Sequence, residues 1–86
     1  MKSFVYLLIS EKDKKTYLGS TDNIERRLIE HNAGKTLSTR NRRPFKLIYK
    51  EELNSLIEAR TREKYLKSRK GRRGLKLIFE NLNIGE

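Results

Sequence analysis

The chain has 86 residues, with 21 Lys and Arg against 11 Asp and Glu, and a formal net charge of +10. That length holds one small domain, expected to span residues 1–86, and the charge excess points to a polyanionic partner, nucleic acid ahead of an anionic membrane surface. With no Cys and one His, disulfides, thiolate metal centres and a zinc site of several imidazoles are excluded.

The longest apolar run, residues 4–9, is far too short to cross a bilayer. It is followed by Glu11-Lys12-Asp13 where a signal peptide would need small residues for cleavage, so a cytoplasmic location and no membrane partner are expected. Phe4-Val5-Tyr6-Leu7-Leu8-Ile9 is rich in β-formers and apolar throughout, which predicts a central strand buried on both faces. Residues 10–15 are polar and turn-like, and Thr16-Tyr17-Leu18-Gly19 predicts a second short strand in a hairpin with the first. Thr21, Asp22 or Asn23 can cap a helix over residues 24–32, which stops before Gly34.

Residues 35–43 have no periodicity and predict a basic loop. Phe45, Leu47 and Tyr49 alternate with Lys46, Ile48 and Lys50, predicting a third strand with one better-buried face. Asn54 or Ser55 caps a second helix that reaches Lys70, where Gly71 and Gly74 interrupt; Gly85 reads as later punctuation. Leu75, Ile78, Phe79 and Leu82 fall at i, i+3, i+4 and i+7, the stripe of an amphipathic third helix. The order ββαβαα gives an α+β fold, a three-stranded, mostly antiparallel sheet flanked by helices, because the first connection is too short for a parallel crossover.

The informative residues are polar ones on faces that the pattern wants buried. At about 100° per residue, Glu63 falls between Ala59 and Leu66 on the inner stripe of the second helix. A carboxylate there needs a buried salt bridge, a route to solvent at the core edge, or a bound cation. Arg27 and His31 stand one turn apart on or beside the inner face marked by Ile24 and Leu28. They read either as a solvated charge and a hydrogen-bonded core-edge imidazole, or as a phosphate-binding pair. Tyr6 and Tyr17 could be β-forming bulk, and Gly19 an ordinary strand end. Two basic clusters, residues 35–46 and 60–76, look like polyanion-contacting surfaces, since acidic residues are absent between Lys35 and Lys50 and between Glu63 and Glu80.

Taken together these positions resemble the GIY-YIG nuclease superfamily, and most closely its small single-domain bacterial members related to the amino-terminal nuclease domain found in excinuclease ABC. The likeness is carried by Val5-Tyr6 in FVYLL, by Tyr17-Leu18-Gly19 in TYLGST, and by Arg27 and His31 in NIERRLIEHNAGK. It continues through TRNRRPFKLIY, with Thr39 and Pro44, to Glu63 in EARTREKYLK. Phe4 replaces the first motif Gly, and Val5 and Leu18 replace the central isoleucines; these are packing or backbone positions.

The resemblance implies a divalent-metal-dependent endonuclease hydrolysing phosphodiester bonds, on DNA ahead of RNA, in repair or recombination. Glu63 is then the one carboxylate on Mg²⁺ or Mn²⁺, ions that keep much of their hydration shell. Arg27 holds the scissile phosphate. Tyr17 is the general base, which requires a cation nearby because an ordinary Tyr ionises at about 10. Tyr6 orients the water or Tyr17, and His31 contacts phosphate or relays a proton. Gly19 lets the backbone approach the substrate. Lys35, Arg40, Arg42 and Arg43 contact the nucleic acid, and Lys67 is a phosphate contact or an ion-pair partner. The competing expectation is a nucleic-acid-binding module that keeps the fold without useful activity. Many relatives carry a further domain that selects the target; a protein partner is expected to supply that selection here.

Overall fold

The first apolar run becomes the middle of a sheet. In this computed structural model, which describes residues 1–83, β1 (Ser3–Ser10) lies between β2 (Thr16–Thr21) and β3 (Phe45–Leu53), antiparallel to both. Helix α1 (Ile24–Asn32) follows β2, a single 3-10 turn occupies Arg40–Arg42, and α2 (Leu56–Lys67) and α3 (Arg72–Asn81) follow β3. The order is ββαβαα and the class α+β, as expected. Gly85 lies outside the described residues.

β1 is apolar on both faces because both are covered. Val5 and Leu7 pack with Leu18, Ala59 and Leu66, closed over by α3 residues Leu75, Ile78 and Phe79. Tyr6 and Leu8 pack with Phe45 and, across α1, with Ile24 and Leu28. Burial of these few side chains is the main stabilising contribution in a chain this small. The caps follow the sequence signals: Asn23 accepts the Arg26 N–H at the start of α1, and Ser55 accepts the Glu58 N–H at the start of α2, each satisfying an orphan donor. Asn32 clamps the far end of α1 to β3, accepting the Phe45 N–H at 2.7 Å and donating to the Phe45 carbonyl at 3.2 Å.

Three expectations are corrected. Phe45, Leu47 and Tyr49 do not share one face. The β1–β3 register shifts between Leu7 and Leu8, which pair with Tyr49 and Leu47. Ile48 is therefore an extra residue, a bulge that sends Leu47 to the α1 face and Tyr49 to the α2 face. The second helix ends at Lys67, short of Lys70, because Ser68 turns to extended backbone and its hydroxyl donates to the Tyr65 carbonyl and accepts the Gly71 N–H. Gly71 is required there, since a Cβ would overlap the Tyr65 carbonyl. Gly74 is no interruption: it sits within α3, where a Cβ would lie 3.6 Å from Leu66 Cδ2.

Candidate active site

The edge strand β2 divides the two faces of the sheet, and the candidate residues meet around it. Cross-strand pairing puts Tyr17 opposite Leu8 and Gly19 opposite Tyr6, on the α1 face, and Ser20 opposite Val5, on the α2 face. Tyr6, Tyr17, Arg27 and His31 thus approach from one side, and Glu63 and Lys67 of α2 from the other.

On the α1 side the groups interlock. Tyr6 Oη and His31 Nε2 are 3.0 Å apart, and His31 Nδ1 lies 2.8 Å from Thr39 Oγ1. The Tyr17 ring meets the imidazole edge-on at 5.0 Å between centroids and lies 6.4 Å from the Tyr6 ring. The Arg27 guanidinium lies near the Tyr6 hydroxyl and makes a 3.1 Å ion pair with Glu30. Burial pushes the Tyr6 phenol up to about 12 against the opposing pull of that guanidinium, so Tyr6 keeps its proton at neutral pH. Burial, reinforced by Arg27, lowers His31 to about 4; the imidazole is neutral at pH 7 and wholly buried.

Gly19 has a reason the sequence did not show. A Cβ at this position would stand 2.5 Å from Tyr6 Oη and 3.1 Å from Tyr17 Cε2. The space expected to admit substrate is filled by Tyr6, and the missing side chain lets the two rings close over the strand.

On the α2 side Glu63 reaches the same edge. Ser20 Oγ donates to Glu63 Oε1 at 2.6 Å, and Lys67 Nζ donates to Oε2 at 2.6 Å. The side chain is 21% exposed, so Glu63 is a core-edge carboxylate, paired with Lys67 and not with an Arg. Lys67 is the ion-pair partner, and its ammonium also stands 5.9 Å from the centre of the Tyr17 ring. No cluster of three or more His, Asp or Glu able to enclose a metal occurs among the described residues. Glu63 is the carboxylate at this edge, and both of its oxygens already accept hydrogen bonds, Oε1 from Ser20 and Oε2 from the Lys67 ammonium. A groove of about 250 Å³ opens beside the cluster, lined by Ser20, Asp22, Arg26, Arg27, Glu30 and Arg60 among others. Arg26 is paired with Asp22 and Glu30 and Arg27 with Glu30, so Arg60 is the groove cation without an ion pair among the described residues.

The expected phosphate-contacting residues of the basic loop divide. Lys35, Arg40 and Arg43 are exposed; Arg40 and Arg43 line a second groove of about 390 Å³ with Lys12 and Asn41. Arg42 is not available: it pairs with Asp13 at 2.7 Å, donates to the Thr16 carbonyl and lies 5.5 Å from the Phe45 ring centre. It pins the loop to the β1–β2 turn. Ser20, Thr39 and Lys12 were missing from the sequence-derived set. Each owes its place to tertiary packing; the one local cue is that Ser20 follows Gly19.

Comparison with known proteins bears on the family and the fold. A family model for the GIY-YIG catalytic domain matches residues 2–76. A UPF0213 protein from Syntrophus aciditrophicus is 43% identical over 82 residues, covering 93% of each chain. Another from Staphylococcus haemolyticus is 41% identical over 80 residues, covering 92% of this chain and 96% of its own. The solution NMR structure of UPF0213 protein BH0048 from Bacillus halodurans superposes with a TM-score of 0.50 at 34% identity, over 91% of this chain and 85% of that one.

Proposed function

Because the chain belongs to the GIY-YIG family, we propose that it is a divalent-metal-dependent endonuclease that hydrolyses phosphodiester bonds, in DNA rather than RNA, during repair or recombination. One observation supports the reading: Glu63 accepts from Ser20 and pairs with Lys67 at the β2 edge, the same Lys67 ammonium stands 5.9 Å from the centre of the Tyr17 ring, and Arg27 lines the groove beside them.

In this reading the scissile phosphate enters the groove beside Arg27, whose guanidinium binds its oxygens and offsets charge that grows toward the transition state. Tyr17 Oη, as the phenolate formed when its own proton has passed to solvent, accepts the proton of the attacking water and becomes the phenol, with the Lys67 ammonium across its ring. Tyr6, protonated and fixed between His31 and Arg27, orients the water or the phosphate by donating a hydrogen bond. His31, neutral and buried, holds Tyr6 in place and does not serve as a cation. Glu63 is the residue that would hold Mg²⁺ or Mn²⁺; such an ion, when bound, stabilises negative charge on the phosphate and the leaving oxygen. Lys12, Lys35, Arg40 and Arg43 extend the positive surface, giving contacts to backbone phosphates that carry little sequence information. Target choice is left to DNA shape or to a protein partner.

The test is incubation of purified protein with branched, flapped and linear DNA and with RNA, in Mg²⁺ or Mn²⁺ against EDTA, beside Glu63→Ala and Tyr17→Phe. Cation-dependent cleavage lost in both variants is the expected result. Salt-sensitive binding with no cleavage of any substrate would make the protein a binding module instead.

A further inference from the structure

Thr39, Nδ1 and Nε2 of His31, and Tyr6 Oη form a buried row with contacts of 2.8 and 3.0 Å. The row carries three hydrogens: one on the Thr39 hydroxyl, one on the neutral imidazole and one on the Tyr6 hydroxyl. Its two internal bonds use two of them, so one donor is left over, and it must lie at one end. If His31 carries its hydrogen on Nδ1, the spare donor is the Thr39 hydroxyl, which is wholly buried and has no acceptor other than Nδ1 among the described residues. An unsatisfied donor there would be costly. If the imidazole hydrogen is on Nε2, Thr39 donates to Nδ1, His31 donates to Tyr6 Oη, and the spare donor is the Tyr6 hydroxyl. Tyr6 stands beside Gly19 and Arg27, and Arg27 lines the open groove. A guanidinium has no acceptor to offer, so the Tyr6 hydrogen needs an acceptor from outside the protein.

We propose that Thr39 is a positioning residue that locks His31 in its Nε2–H form, so that Tyr6 receives a hydrogen bond from His31 and presents its own proton to an anionic oxygen or water entering beside Arg27. The role given to Tyr6 rests on the nuclease reading; the tautomer does not. Thr39 also ties this direction to the 35–43 loop, so the segment that carries Arg40 and Arg43 helps to set the polarity of the centre.

The experiment is unusually clean because the chain has a single His: long-range ¹H–¹⁵N correlation of the ¹⁵N-labelled protein at pH 7 reads its tautomer with no assignment step. The expected result is Nε2 as the hydrogen-bearing nitrogen in the wild type and in Thr39→Ser, with the proton shared between both nitrogens in Thr39→Val. Cleavage is expected to fall about tenfold in Thr39→Val, the scale of one lost hydrogen bond, in kcat more than in KM, and to recover in Thr39→Ser. A wild-type His31 carrying its hydrogen on Nδ1 overturns the inference even if the protein cleaves DNA. Nε2–H in the wild type, reduced in Thr39→Val, with no cleavage of any substrate upholds Thr39 as the determinant of the tautomer and removes the nuclease reading alone; Nε2–H kept undiminished in Thr39→Val overturns the inference. Should Thr39→Val fail to fold, Thr39→Ala takes its place with the same two outcomes.

Discussion

Two polar clusters flank the sheet, built from nearly the same residue types. At the β3 edge, Tyr49 donates to Glu51 at 2.6 Å, and Arg62 grips the same carboxylate with two bonds of 2.8 and 3.2 Å. At the β2 edge stand Tyr6, Tyr17, Arg27 and Glu63. Arg62 and Glu63 are consecutive on α2, yet one serves each cluster. The β3-edge set is closed: the guanidinium and the phenol both spend their bonds on one carboxylate, Glu51 is held below the usual carboxylate range by Arg62, and burial pushes Tyr49 up to about 12. In the β2-edge set Arg27 and Glu63 stay apart, with Glu30 on one and Lys67 on the other. Residue type therefore does not distinguish the strut at the β3 edge from the reactive centre we propose at the β2 edge. The distinction lies in which valences remain to be filled by something outside the chain.

The largest expected effect separates the two clusters by activity. Arg27→Ala should reduce cleavage by about 10² to 10³, the scale of removing one transition-state donor. Its thermal midpoint should move little, because half-exposed ion pairs contribute about 1 kcal/mol or less. Arg62→Ala should do the reverse, lowering stability measurably and leaving cleavage near wild type. Equal activity losses in both would erase the contrast.

A second separation comes from pH. His31 ionises near 6.5 in the unfolded chain and at about 4 when folded. Above pH 6.5 neither state is protonated and its contribution is complete. As pH falls from 6.5 to 4 the unfolded chain takes up a proton that the folded one refuses, and stability drops by about 3 kcal/mol. Glu51, held low, contributes above the ordinary carboxylate range and loses that contribution only as pH falls below it. Urea midpoints measured from pH 7.5 to 4.5 should show the first decline in the wild type and lose it in His31→Asn. An unchanged slope in that variant would place the titration elsewhere.

Gly19→Ala should destabilise by about 1–3 kcal/mol, as overpacking does, because its methyl would meet the Tyr6 hydroxyl at 2.5 Å; cleavage should fall in the protein that remains folded. Glu51→Gln is the mildest change, at about 1 kcal/mol, since the pair it weakens is partly exposed. A Gly19→Ala protein as stable as wild type would mean that Tyr6 can move away from β2.

The sheet was legible because β1 is apolar or aromatic throughout residues 4–9 and the caps Asn23 and Ser55 are local signals. The bulge at Ile48 was not, because alternation in β3 continues through it and only pairing with β1 reveals the extra residue. Gly74 looked like a break, but a helix packed closely on Leu66 tolerates it. Among the candidate residues, Tyr6, Tyr17, Arg27, His31 and Glu63 could be joined only by the family resemblance that their order along the chain carries. Thr39 could not be assigned a task, since its bond to His31 spans a loop without periodicity. Arg42 looked like its neighbours in a basic run, and only the fold shows that Asp13 and Phe45 occupy it.

The account stands most directly on a paired measurement: cleavage of a branched DNA duplex by Glu63→Gln and by Glu51→Gln across a Mg²⁺ and Mn²⁺ titration. It predicts that Glu51→Gln cleaves at nearly the wild-type rate with the same cation dependence, while Glu63→Gln is inactive or needs far more cation. Cleavage by Glu63→Gln with an unaltered cation requirement would contradict it.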